Sequence, residues 1–255
     1  QIWDYKESGN QIRVQTCPYC GKDKYHFYIN QDNGMYDCKV CGVTGNLWKL
    51  KKDFGQNILA RIATIQPAKE EVYPDTDKMN KMYSNLQQDT NALKYLKDER
   101  DFTSETILKF KLGLSDNNEI AIPIVKEGKL VNVKYRTIPP KDKFYMREKG
   151  CPSYLFNGDV IGKDKSIILT EGEFDAIAAS QMGFLAVSGV TGASGLTAEA
   201  VMQLDEANKL IIMYDNDEAE QQGAAKVIDR LGIERCINVI LPVKDLNQHM
   251  RESAL

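Results

Sequence analysis

From Ser166 onward the chain alternates short aliphatic runs with longer amphipathic ones: SIILT, GEFDAIAASQMG, FLAVSGV, LTAEAVMQLDEAN, KLIIMYD, EAEQQGAAKVIDRLG and INVILPV. Strands that are oily on both sides must be buried on both faces. Parallel strands joined by crossover helices achieve that. The expectation is an α/β unit over 166–255, a Rossmann-like parallel sheet with helices on both faces.

Two of these strands break abruptly into carboxylates, in ILTEGEFDA (168–176) and IIMYDNDEA (211–219). Open parallel sheets bind ligands beyond the carboxyl ends of their strands. Glu171 ends the first run, with Glu173 and Asp175 in the turns that follow; Asp215 and Asp217 end the second. An acid near a helix N-terminus complements the dipole, which accounts for Glu173 or Glu218. It does not account for five acids at two strand ends, because crowded like charges need a cation. Oxygen ligands without nearby His or Cys favour Mg2+ or Mn2+, the ions that handle phosphate esters.

Four of the six cysteines cluster as CPYC and CKVC, with seventeen residues between the pairs. Each pair makes a turn presenting two thiolates, so Cys17, Cys20, Cys38 and Cys41 are expected to hold one structural zinc ion. No apolar run approaches the ~18 residues of a membrane span, and the first residues, QIWDYKESGN, contain no apolar signal core. The expected location is therefore cytoplasmic, without a membrane partner, and disulfides are the weaker reading of the cluster. Between the pairs, KYHFYINQDNGMYD reads as a hairpin turning near Asn33 and Gly34, making a zinc ribbon over residues 1–50. A ribbon that small depends on its metal. Its Tyr25, His26, Phe27, Tyr28 and Tyr36, interleaved with Lys22, Lys24 and Lys39, suit either a purely structural knuckle or a surface that stacks on unpaired bases. About half of these aromatics should point inward.

Residues 51–86 are polar and weakly periodic, and read as a linker holding at most one short helix. Residues 87–165 read as a small α+β subdomain. Thr103 is a candidate N-cap with Gly113 as the stop, followed by strands EIAIPIV and KLVNVKYR around the turn KEGK. The stretch 134–150 carries six basic residues, Lys134, Arg136, Lys141, Lys143, Arg147 and Lys149, against two acids; Pro139 and Pro140 break it into a loop.

A Glu-Gly at one strand end and an Asp-x-Asp at another resemble the toprim fold of primases, topoisomerases and some nucleases. The fit to bacterial- and phage-type DNA primases is closer. ALKYLKDERDFTSETILKFKLGL resembles the segment before their catalytic core, and a four-cysteine ribbon followed by a linker is similar to the primase half of phage primase-helicases. The resemblance implies a DNA-templated RNA polymerase that makes short primers on single-stranded DNA from ribonucleoside triphosphates. It implies Glu171 as the essential acid, Asp215 and Asp217 as Mg2+ ligands, and Asp175 and Asp245 as further members of the site. Lys134 and Arg136 would line the nucleotide or template channel. Beside such a site, Lys141 and Lys143 would meet phosphates, as would the ribbon's Lys22 and Lys24, with His26 and Tyr28 contacting the nucleic acid beside them. SGVTGASGL, with Gly189, Gly192 and Gly195, resembles the family's loop beside the active site. A replicative helicase is the implied partner, fused downstream or separate, since no Walker A motif occurs. One departure is NGMYDC, which lacks the His that some phage primases carry before the third cysteine. A toprim nuclease or topoisomerase, and a noncatalytic single-strand-binding adaptor, are the alternatives.

Overall fold

The computed structural model describes residues 4–31, 34–55, 72–139, 145–162, 165–189 and 196–253. Its strands form three sheets. The first is an antiparallel meander of β1 (Tyr5–Ser8), β2 (Gln11–Val14), β3 (Phe27–Asn30), β4 (Tyr36–Cys38) and β5 (Thr44–Gly45). Strict alternation turns Ile12, Val14, Phe27, Ile29 and Tyr36 inward against Leu47 and Leu50 of α1 (Leu47–Phe54). The β3–β4 pairing, Phe27 opposite Cys38 and Ile29 opposite Tyr36, is the expected hairpin. Asn33 lies outside the described residues. Gly34 has φ +67°, and a Cβ there would sit 2.6 Å from Leu47 Cδ1, so the turn requires glycine twice over.

The second unit begins with α2 (Thr76–Gln88), α3 (Thr90–Lys94), a π turn at Tyr95–Glu99 and α4 (Ser104–Lys109). Its antiparallel sheet runs β6 (Gly113–Leu114), β7 (Glu119–Lys126), β8 (Lys129–Thr137) and β9 (Tyr145–Arg147). Thr103 caps α4 as expected, its Oγ1 accepting from Thr106 N at 3.1 Å. Gly113 is not the stop: α4 ends at Lys109, and Lys111 takes the left-handed turn with φ +47°. Gly113 instead allows close approach, since a Cβ there would meet the Met82 backbone at 2.9 Å.

The segment read as a linker differs too. It includes the end of α1 and nearly all of α2, which packs Met79 and Met82 on Ala121, Val133 and Tyr135 and buries Leu86 in the main core. These three apolar residues follow helical spacing inside an otherwise polar run, a faint stripe that composition hides.

The third unit alternates β10 (Ser166–Thr170), α5 (Glu173–Gln181), β11 (Ala186–Ser188), α6 (Ala198–Leu204), β12 (Lys209–Met213), α7 (Glu218–Leu231), β13 (Cys236–Asn238) and α8 (Leu246–Ser253). The sheet is wholly parallel, in the order β11-β10-β12-β13. Helices cover both faces, as the aliphatic strands require. Ile167 and Leu169 point to a core with Ala200, Leu204, Val227 and Leu231 of α6 and α7; Ile168 points to one with Phe174, Ile177 and Met250 of α5 and α8. Helix α8 is an addition to the sequence-based expectation. The second core also takes in Ile120, Ile122, Ile124 and Phe156, so the second and third units have separate sheets but share one interior. Among the described residues no helix is long and apolar enough to cross a membrane.

Candidate metal centres and active-site cleft

Cys17 and Cys20 sit between β2 and β3; Cys38 ends β4, and Cys41 lies in the turn before β5. Their sulfurs all lie within 4.8 Å of one another, and the four can hold a metal ion. Tight turns shape both pairs, with Gly21 N donating to Cys17 O and Gly42 N to Cys38 O, each at 2.9 Å. Burial works against the Cys38 thiolate, but the N–H groups of Cys41 and Val40 outweigh it and bring its pKa down to about 7. Burial foremost pushes Cys17 up to about 12. Four thiols in contact with unequal readiness to ionise become equivalent thiolates only around a cation, and all-sulfur tetrahedral ligation fits zinc.

The ribbon's outer face gathers the polar half of its aromatics. Tyr28 is paired in register with Arg13 on one side and Asp37 on the other. The Arg13 guanidinium lies 5.1 Å and Lys39 Nζ 5.6 Å from its ring centre, while Lys6 Nζ is 4.3 Å from that of Tyr25. Phe27 and Tyr36 pack inward, Lys22 and Lys24 are exposed, and His26 is half-buried. Sequence reasoning missed Arg13, although the alternation of QIRV sets it on the outer face with Tyr28. Lys141 and Lys143 lie outside the described residues, as do Pro140, Gly192 and Gly195.

The predicted acids meet at the carboxyl edge of the parallel sheet. Glu171 follows β10, and its charge acts on the buried Tyr214 hydroxyl, just past the end of β12. Asp175 occupies the first turn of α5, where its Oδ1 accepts from Asn247 N at 3.0 Å. Strand β12 stops at Met213, so Asp215 and Asp217 do not share the face of a continuing strand. Asp217 is exposed and caps α7, its Oδ1 accepting from Glu220 N at 3.0 Å; Asp245 accepts from Gln248 N at 2.7 Å in the first turn of α8. Among the described residues the cysteines are the group drawn within 4.8 Å; the carboxylates stand wider apart.

Asp175 keeps part of its surface in solvent but is densely surrounded by protein. That environment, then the charges of Asp245 and Asp215, raise its pKa to about 7 against the opposing effects of the Asn247 N–H and Arg136. A carboxylate strained by two like neighbours on an open edge is what a divalent cation relieves, so this donor set fits Mg2+ or Mn2+.

Lys134 and Arg136, on β8, face α5. Lys134 Nζ lies 2.7 Å from Glu173 Oε1, with the two side chains only 11% and 1% exposed. Arg136 stacks its guanidinium 4.2 Å from the Phe174 ring centre. Glu173, read from sequence as a dipole complement, is thus half of a buried ion pair joining β8 to α5. Burial raises its pKa despite Lys134. Asn247 was also missed: its Nδ2 donates to Arg100 O at 2.8 Å, and it is 1% exposed. No local pattern distinguishes it from a surface asparagine.

Residues 168–250 match the family model described as Toprim-like. That segment is toprim-like. Curated relatives extend the likeness: the Twinkle homolog protein, chloroplastic/mitochondrial, of Arabidopsis thaliana is 24% identical over 93% of this chain and 35% of its own length. A DNA primase of Lactococcus lactis is 24% identical over 86% of this chain and 45% of its own. The chain therefore spans about half or less of the length of these relatives. Among solved structures, the zinc-binding and RNA polymerase domains of Aquifex aeolicus primase superpose with TM-score 0.59 at 19% identity, covering 98% of this chain and 77% of that one. The primase fragment of the bacteriophage T7 primase-helicase gives 0.52 at 20% identity, covering 94% of each. The resemblance to bacterial- and phage-type primases read from the motifs is borne out, and the ribbon, middle sheet and toprim-like sheet together have the fold of those structures.

Proposed function

We propose that the chain is the primer-synthesising part of a DNA primase, a nucleotidyltransferase that joins ribonucleotides on a single-stranded DNA template. The observation that carries this reading is one chain combining a four-cysteine ribbon with an acidic toprim-like sheet edge, in a fold matched over 98% of its length by a primase. In this reading Glu171, Asp215 and Asp217 hold Mg2+, Asp175 and Asp245 complete the acidic edge, and the cysteines hold zinc. The reaction is attack of a 3'-hydroxyl on the α-phosphate of a ribonucleoside triphosphate, with pyrophosphate leaving. Bound Mg2+ supplies charge neutralisation at the reacting phosphate.

The chain's own residues orient and bind. Arg136 and Lys134 line the nucleotide or template channel from β8, with Lys134 also holding α5 in place through Glu173. Tyr28, between Arg13 and Lys39, stacks on an unpaired base; Lys22, Lys24, His26, Lys141 and Lys143 attend the backbone. Positioning by the ribbon offsets the entropy of bringing two nucleotides together without a duplex. The division of labour follows residues 1–50, 87–165 and 166–255, and the enzyme works in the cytoplasm, the host's if phage-encoded, beside a helicase.

The test is incubation of single-stranded DNA with labelled ribonucleotides and Mg2+. Short RNA products are expected, and Asp215→Asn should lower their rate by about 10²–10³-fold, as removal of a group that stabilises transition-state charge does. DNA cleavage would instead indicate a toprim nuclease, and neither product a binding adaptor.

A further inference from the structure

Three acid-bearing turns must hold a fixed spacing for a cation to bridge them, yet the caps described above fix Asp217 and Asp245 only to their own helices. Asp217 is fastened to α7 and Asp245 to α8. The residue between Asp215 and Asp217 supplies a cross-link. Asn216 N donates to Lys244 O at 2.7 Å, and its side-chain Nδ2 donates to Leu241 O at 2.9 Å. Both acceptors belong to the loop that leads into Asp245. At the far end of that loop, Asn247 N donates to Asp175 Oδ1. The Asp245 loop is thereby tied on one side to the Asp215–Asp217 turn and on the other to the Asp175 turn.

We propose that Asn216 is a positioning residue for the divalent-cation site, setting the spacing of Asp215 against Asp245 through its two bonds to the 241–244 backbone. This rests on the reading of the acidic edge as a metal site. Asn216 itself touches neither cation nor nucleotide. Its side chain must donate, because its partner is a carbonyl oxygen. Only the side-chain bond depends on residue identity; the main-chain bond to Lys244 survives substitution. A second, longer route, from Asn238 Nδ2 to Gln221 Oε1 and from Gln221 Nε2 to Asp215 O, supports the turn from below. Loss of the Asn216 side chain should therefore loosen the site without unfolding it.

The experiment is a Mn2+ titration of the zinc-loaded full chain, followed by electron paramagnetic resonance of free Mn2+, on the wild type and on Asp215→Asn, Asn216→Ala and Asn216→Gln. Thermal midpoint and zinc content serve as checks of folding. The wild type should bind, and Asp215→Asn should lose that binding. Asn216→Ala should bind roughly ten-fold more weakly, the lower end of what removing an outer partner of a metal ligand does. Asn216→Gln, which keeps a donor on a longer arm, should recover part of the loss. In parallel, primer synthesis by Asn216→Ala should return to within a few-fold of wild type at saturating Mn2+. If the wild type binds and Asp215→Asn does not, but Asn216→Ala matches the wild type within two-fold, the positioning role is wrong. A loss in Asn216→Ala that Asn216→Gln does not relieve at all would also overturn it, because the donor would then not matter. A wild type without Mn2+ binding would remove the metal-site reading itself.

Discussion

In the ribbon, four sulfurs lie within 4.8 Å of one another on two tight turns; at the toprim-like edge, carboxylates stand wider apart, Asp217 and Asp245 fastened to the helices they precede. The difference follows from what surrounds each cluster. The ribbon buries few large side chains, chiefly Phe27, Ile29, Tyr36, Leu47 and Leu50, and these pack against the cysteines themselves. Its cysteine cluster is part of its core. The acidic edge caps a sheet already sandwiched between two helical layers, so the carboxylates can remain apart and partly in water without endangering the fold. A closed site serves stability, whereas an open one leaves coordination positions for a substrate.

The largest effect should come from breaking the closed site. Cys38→Ser, or zinc removal by chelation, should unfold residues 4–45, because structural zinc contributes apparent free energies on the order of 10 kcal/mol to such modules. Hydrogen exchange is the measurement: β2–β4 amides should lose protection while β10 and β12 keep theirs. Equal loss in both sheets would mean that the ribbon and the sheet form one cooperative unit.

Next in size is the ion pair that joins β8 to α5. Lys134→Met leaves the Glu173 carboxylate, 1% exposed, without its cation. Breaking one half of a buried pair costs about 3–5 kcal/mol, while replacing both halves is often neutral. Chemical denaturation should show that loss in Lys134→Met and recovery of most of it in Lys134→Met with Glu173→Gln. An additive double variant would show that the pair does not hold β8 to α5.

Asp175 distinguishes the open site by pH. Its folded-state pKa of about 7 lies above the ordinary 3.8, so the folded protein favours the protonated form. Metal-free stability should therefore fall as pH rises from about 4 to about 7 and level off beyond. Asp175→Asn should match the wild type near pH 4 and exceed it at pH 8 by on the order of 2 kcal/mol, discounted for the residue's partial exposure. Adding Mg2+ at pH 8 should narrow the gap by stabilising the wild type selectively. An Asp175→Asn variant less stable than wild type at pH 8 without metal would contradict the crowding of charge.

What was legible in the sequence follows the same contrast. Local patterns carried the parallel sheet, because Ile167 to Leu169 are buried, Leu210 and Ile212 are buried with Ile211 half-buried between them, and both strands read as unbroken aliphatic runs. The cysteine tetrad was legible because two turns determine its spacing. Less was visible where partners are distant. The Lys134–Glu173 pair spans 39 positions, and nothing in either segment names the other. Helix α2 was hidden by its polar flanks, and Gly113 was read as a helix stop because its real constraint, the Met82 backbone, lies on another element. Strand β12 stops at Met213, before either acid, and Asp217 instead caps α7.

The smallest effect concerns how the two regions meet. Helix α1 docks beside α6 and α7 through Asn46 Nδ2, 2.7 Å from Asp229 O, through Lys51 paired with Asp205, and through Lys52 at 3.3 Å from Glu234. These partners lie where α6 and α7 end, at the amino edge of the sheet. The acids lie at the carboxyl edge, one length of the fourteen-residue α7 away, about 20 Å at 1.5 Å per residue. Lys52 and Glu234 are both more than half exposed, which makes their pair weak. Asp205 is 5% exposed, but Arg235 Nη1 also reaches it at 3.5 Å, so losing Lys51 does not strand its charge. Lys51→Met should therefore weaken docking by only about 1 kcal/mol. Hydrogen exchange of α1 amides should speed up in the variant at about 0.1 M salt. The difference from wild type should shrink at about 1 M, where the Debye length falls from about 10 Å to about 3 Å. Unchanged α1 protection under both conditions would show that packing, not charge, holds the ribbon against the far end of the parallel sheet.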